Sequence, residues 1–211
     1  KDVNGSATFT YTISNGSVTD TATVTLNVSA VNNAPVNTVP GAQSTPEDTA
    51  KVINGISIAD VDVGETLNAT MKVDLSVQHG KILLQNVPGT VVFLAGTMND
   101  SSNISLQGSL ADLKDALNGL LYTPADNYNG ADTFSIITND LGNTGPGAPK
   151  TDSDTVAITV IAVNDAPTLT AATVTQNITE TFDLTFNAAN ANQFSVADLD
   201  VGEAGSTVTG L

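Results

Sequence analysis

The chain has 211 residues and carries 22 acidic against 6 basic side chains, a formal net charge of −16. It contains no Cys, Trp or Arg, which excludes a disulfide framework, a thiolate metal site and a cysteine nucleophile. Nucleic acid is excluded as a partner, because phosphate binding needs clustered positive charge. No apolar run approaches the roughly 18–20 residues of a membrane span, so no membrane insertion is expected.

Taken in chain order, the first readable elements are two alternating segments. Val24, Leu26 and Val28 recur at every second position with Thr25 and Asn27 between them, the period of a strand with one solvated face. Further strands are predicted over 51–59, 66–77, 81–85, 90–94, 103–106 and 133–138, and the alternation returns in Val156, Ile158 and Val160. Asn54-Gly55, Pro88-Gly89 and Asn129-Gly130 mark turns between some of these strands. One segment departs from the pattern. Ser109 and Asp112 have capping-box spacing, and Leu110, Leu113, Ala116, Leu117 and Leu120 follow at helical intervals towards Gly119. The expected fold class is therefore all-β, a sandwich of seven or so strands with one short helix.

The chain also repeats itself. The stretch from Asp20 to Pro35 returns from Asp152 to Pro167, 132 residues on. Upstream, Asn4-Gly5 with Thr8-Phe9 returns as Asn129-Gly130 with Thr133-Phe134 at an offset of 125. Downstream, the segment from Ser57 to Glu65 returns from Ser195 to Glu203 at an offset of 138. Three matches in the same order imply a tandem array with a period of about 130 residues. Residues 1–31 read as the closing hairpin of a preceding repeat, 32–163 as a complete one, and 164–211 as a linker with the opening strands of a following one. Neither partial copy should bury a full core alone. A neighbouring chain could add strands to them, but the middle of the repeat would still be missing.

Two acidic blocks carry the chemistry. Asp60-Val-Asp62-Val-Gly64-Glu65 and Asp198-Leu-Asp200-Val-Gly202-Glu203 each place three carboxylates within six residues. Carboxylates held together repel one another unless a cation lies among them. Hard oxygen ligands in a flexible loop favour Ca²⁺. A single such block reads as a solvated acidic turn; its return after Asn32-Asn33-Ala34-Pro35 and Asn164-Asp165-Ala166-Pro167 favours a metal. The proline stiffens each connector into an extended joint between repeats.

These motifs, with Pro46-Glu47, Thr138-Asn139-Asp140-Leu141-Gly142 and the run from Tyr122 to Phe134, resemble the cadherin-like repeats of giant bacterial surface and type I-secreted (RTX-type) adhesins. The resemblance spans the chain. It implies extracellular Ig/cadherin-like Greek-key sandwiches in tandem, acting as spacers in cell adhesion or biofilm, with Ca²⁺ at the joints stiffening the rod. Neighbouring repeats of the same chain are the implied partners, with a cell-surface protein or glycan as the adhesion target. By the same resemblance, the second joint takes Glu47 from the upstream sandwich, Asn164 and Asp165 from the linker, and Asp198 and Asp200 from the downstream one, with Glu203 a weaker candidate. The first joint uses Asn32, Asn33, Asp60, Asp62 and Asp140, with Glu65 again weaker. The acidic motif that precedes the penultimate strand in this family has no clear counterpart; Asp126 or Asp132 are the substitutes within reach. Asn33 replaces the acid present at Asp165, so the first joint is expected to bind more weakly.

An enzyme is not expected. Paired carboxylates could serve glycoside hydrolysis, but there is no Trp platform, the acids fall at repeat boundaries, and His79 is the single histidine, placed at a turn. The competing reading is a carbohydrate- or protein-ligand-binding module, for which the segment 86–110 is the candidate loop region.

Overall fold

The computed structural model describes residues 4–143, 146–171, 175–188 and 192–201. Its contacts divide the chain into two compact units, Lys1–Ile161 and Ala162–Leu211.

The first unit opens on a hairpin of β1 (Gly5–Ser14) and β2 (Thr19–Val28), which forms a two-stranded sheet of its own. There follow β3 (Val36–Thr38), β4 (Gln43–Pro46), β5 (Lys51–Ile53), β6 (Ser57–Ala59), β7 (Met71–Ser76), β8 (Gly80–Leu83), β9 (Val92–Phe93) and β10 (Asn103–Gly108). Helix α1 (Leu110–Leu117) leads into β11 (Leu120–Pro124), β12 (Gly130–Asn139) and β13 (Thr151–Ile161). One sheet runs β4-β13-β12-β7-β10-β9 and the facing one β5-β11-β8, while β3 pairs with β6. This is an Ig-like Greek-key sandwich: β11 lies between β5 and β8, and β12 between β13 and β7. The closing strand β13 runs parallel to β4, near the start of the repeat.

Alternation builds the core. Met71, Val73 and Leu75 of β7 are buried, as are Phe134 and Ile136 of β12 and Val156, Ile158 and Val160 of β13. Ile53, Ile82, Leu120 and Tyr122 close the core from the other sheet. Helix α1 forms where the capping pattern placed it. The Ser109 hydroxyl accepts the Asp112 backbone N–H at 3.2 Å, and Leu113, Ala116 and Leu117 turn inward against β6 and β10.

The strand expectations need three corrections. The segment 51–59 is two strands, β5 and β6, split where Gly55 takes a positive φ of 84°. The stretch from Thr66 becomes a strand only at Met71, because Val63–Glu65 form a 3₁₀ turn and Asn68 adopts φ 58°. Strands β3, β4 and β11 were not anticipated.

The second unit contains β14 (Thr168–Thr170) and β15 (Ser195–Ala197), which pair antiparallel. The sequence repeat is a structural repeat down to the register. Val36, Asn37 and Thr38 face Ala59, Ile58 and Ser57; Thr168, Leu169 and Thr170 face Ala197, Val196 and Ser195 at the same offsets of 132 and 138. Likewise β1–β2 pairs Gly5 with Val28 and Phe9 with Val24, as β12–β13 pairs Gly130 with Val160 and Phe134 with Val156. No helix among the described residues is long and apolar enough to cross a membrane.

Candidate metal centre

The two Asn-Asn/Asp-Ala-Pro segments and the acidic blocks that follow them are held by one local arrangement, made twice. In the first unit the Asn33 backbone N–H donates to Asp62 Oδ2 at 2.5 Å, and the Asp62 N–H donates to Asp60 Oδ1 at 2.8 Å. In the second unit the Asp165 N–H donates to Asp200 Oδ2 at 2.6 Å, and the Asp200 N–H donates to Asp198 Oδ1 at 3.1 Å. The middle carboxylate is buried in both, Asp62 and Asp200 alike. The Asp-x-Asp turn thus clasps the connector through the connector's own backbone, and the short pairing of β3 with β6, or β14 with β15, sets the two segments side by side.

The first joint gathers more. Asn32 is buried and donates Nδ2 to Asp140 Oδ2 at 2.7 Å. Asp140, also buried, takes the backbone N–H groups of Gly142 and Lys150 on Oδ1, each at 2.8 Å. Lys150 Nζ donates to the Asn32 carbonyl at 2.5 Å, bringing one fixed positive charge to the connector. Burial, joined by the charges of Asp62 and Asp140, pushes the Asp60 carboxyl above its ordinary value against the opposing N–H of Asp62. Asp60 therefore feels two other candidate acids, one of them 80 residues further along the sequence.

The other candidates are placed differently. Glu47 is buried at the end of β4, its backbone N–H on the Ile161 carbonyl at 2.8 Å and Asn129 Nδ2 reaching Oε2 at 3.5 Å. Glu65 is exposed on the 3₁₀ turn, with its N–H on the Asp62 carbonyl. Asn164 is exposed and turns its amide onto the Asp165 carbonyl. Glu203 lies outside the described residues. Among the described residues, no three His, Cys, Asp or Glu side chains are gathered as a ready metal cage. The donor set at the first joint fits a hard cation on chemistry: its carboxylates offer hard oxygens, and burial and neighbouring charge already raise the Asp60 carboxyl. Asn32 and Asn33 meet these acids through their amide N–H groups and would present their carbonyl oxygens to a cation after an amide flip. Ca²⁺ takes 6–8 oxygens, backbone and Asn carbonyls included. Asp60, Asp62 and Asp140 with Asn32 and Asn33 would hold it there, supplying charge neutralisation and a fixed angle at the joint.

Asp132, one of the two substitutes for the family's missing acid, is committed elsewhere. It is buried on the inward face of β12 and accepts the N–H groups of Gln78, His79 and Thr133 at 2.7–3.0 Å and the Tyr122 hydroxyl at 2.8 Å. Burial pushes its carboxyl up, but these hydrogen bonds outweigh burial and hold it below its ordinary value. Burial and the Asp132 charge drive the Tyr122 hydroxyl the other way. His79 stacks on Tyr128 with ring centroids 4.2 Å apart. Sequence reasoning missed this network, although alternation from Phe134 already placed Asp132 on the core face.

The segment 86–110 is not an open loop. Asn99 pins it by exchanging hydrogen bonds with the Leu84 backbone at 2.8 and 2.9 Å. A shallow depression of about 480 Å³ lies beside it, with Thr90, Val92, Gln107 and Asp112 in its wall and no aromatic side chain among its lining residues.

No family model and no curated protein matches the chain. Among solved structures, it is similar to the crystal structure of domains 4 and 5 of the S-layer protein SbsC. The identity is 15%, the TM-score 0.32, and the match covers 76% of this chain and 60% of that one. The chain thus spans less than two thirds of the length of that neighbour.

Proposed function

We propose that this chain is a nonenzymatic, extracellular spacer segment of a cadherin-like adhesin, built of tandem β-sandwich repeats that Ca²⁺ stiffens at the joints. The observation that carries the reading is the recurrence of the connector clasp. The same backbone N–H reaches the same buried carboxylate at both joints, followed by the same Asp-x-Asp turn. A solvated acidic turn has no need to bury its central carboxylate twice. In the proposed mechanism each cation neutralises carboxylates of the flanking repeats, and at the second joint that of Asp165 as well, removing their repulsion and fixing the connector.

The test is thermal melting and small-angle scattering with and without a chelator. A ligand that binds the folded state stabilises it by RT ln(1 + [L]/Kd), about 2.7 kcal/mol at a hundredfold excess over Kd. Calcium is expected to raise the melting temperature and narrow the distribution of intraparticle distances. Curves that coincide in calcium and in EDTA would leave a plain spacer.

A further inference from the structure

The hairpin β1–β2 has two unlike faces. One carries Ser6, Thr8, Thr10, Thr12 and Ser14 opposite Asn27, Thr25, Thr23, Thr21 and Thr19. The other carries Ala7, Phe9, Tyr11 and Ile13 beside Val24, Leu26 and Val28. Phe9, Tyr11, Ile13, Leu26 and Val28 are each 49–62% exposed. Their counterparts on β12–β13, found at offsets of 125 and 132, are Phe134, Ile136, Thr138, Ile158 and Val160, all at most 3% exposed. In the complete repeat this face is covered by the strands between residues 36 and 124, with β7 on the free edge of β12 and β4 on that of β13. Among the described residues, β1 and β2 pair only with each other.

A polar handle is kept in place as well. Asp152 receives the Asn37 backbone N–H on Oδ2 at 2.7 Å, so it docks β3 onto the hairpin, and its Oδ1 takes the Ser153 N–H at 2.9 Å. Asp20 is its counterpart, and its Oδ1 takes the Thr21 N–H at the same 2.9 Å. Two positions differ. Ala7 stands where the complete repeat has Asp132, the partner of the Tyr122 hydroxyl, and Ile13 stands where it has Thr138, which donates to Asn37 Oδ1 at 2.6 Å.

We infer that the apolar face of β1–β2 is the docking surface for an upstream stretch of the same polypeptide, with the strand pattern of residues 36–124 but apolar at the places of Tyr122 and Asn37. Asp20 catches the backbone of its first strand. A second copy of this chain cannot supply those strands, because its own residues 36–124 are already engaged with its own β12–β13. Delivery from the same chain has a direct route: in the complete repeat, the five residues from Ala125 to Asn129 join β11 to β12, and a tether that short makes docking intramolecular. The inference does not depend on calcium.

The test fuses a second copy of residues 35–128 directly ahead of Asn4, once unchanged and once carrying Tyr122→Phe and Asn37→Val in the added copy. Amide exchange in β1–β2 is expected to slow by at least about a hundredfold, as it does when exposed strands join a core, with the substituted copy protecting more strongly. Asp20→Ala in the fused chain should give back a large part of that protection. The inference is overturned if both fusions fold while β1–β2 exchanges at the rate of the unfused chain. It is equally overturned if the unfused chain sediments as a dimer that Phe9→Asp returns to monomer, since a second copy then covers the face.

Discussion

The hairpins β1–β2 and β12–β13 share ten cross-strand pairs in one register and nearly one pattern of alternation, yet one lies in water and the other in the core. Their difference separates what a strand sequence specifies from what a repeat supplies. Period-2 alternation fixes the register and decides which face is apolar. Burial comes from the strands between residues 36 and 124, and among the described residues only β12–β13 has them. The contrast extends to Asp132, whose four hydrogen-bond donors come from the β7–β8 turn, from β11 and from β12 itself; at the matching position β1 has Ala7, which needs no such partners.

The largest effect expected from this contrast is at the paired phenylalanines. Phe134→Ala should cost about 3–5 kcal/mol, the range for emptying a packed aromatic site. Phe9→Ala should stay within about 0.5 kcal/mol, as exposed substitutions do. Chemical denaturation of the two variants side by side reads this directly, and equal losses would mean that β1–β2 is already packed in solution.

Asp132→Asn comes next, at about 2 kcal/mol, because a neutral amide leaves buried donors poorly matched. This residue also gives the contrast a pH signature. Its folded value lies below the ordinary 3.8, so its contribution is full above that pH and is lost as acid protonates it. Acid melting should therefore decline less steeply below pH 4 in Asp132→Asn than in the parent chain. Parallel declines would remove Asp132 from the account.

The smallest effect concerns the two joints, which differ by Asn33 against Asp165. Asn33→Asp adds one negative oxygen ligand to the first joint. It should tighten calcium binding there by about tenfold, near 1.4 kcal/mol, since ligand charge tunes such sites. A weaker or unchanged first site would show that charge at this position is not what separates the joints.

Much of this was legible in the residues. The helix was readable because its signal is local: Ser109 and Asp112 cap it and Gly119, at φ 68°, follows its end. The repeat was readable because three blocks return in the same order, at offsets of 125, 132 and 138. Strand β11 was hidden because the helical spacing of Leu117 and Leu120 runs straight into it, and Pro124 argues against a strand. Strands β3 and β4, three and four residues long, are specified by distant partners, β6 and β13, more than by their own composition. At the site, the Asp-x-Asp turns announced themselves by recurrence. Asp140 was drawn from a resemblance, and its hydrogen bond with Asn32 spans 108 positions, a contact that no local pattern encodes.

The central claim is that the clasped carboxylates bind Ca²⁺, and a calorimetric calcium titration of the parent chain beside Asp62→Asn, Asp200→Asn and the double variant tests it most directly. The account predicts saturable binding at or below about millimolar calcium, the range of extracellular modules. Each single variant should lose one class of site, and the double variant should lose both. A parent chain that takes up no calcium at that concentration, or a double variant that binds like the parent, would contradict it.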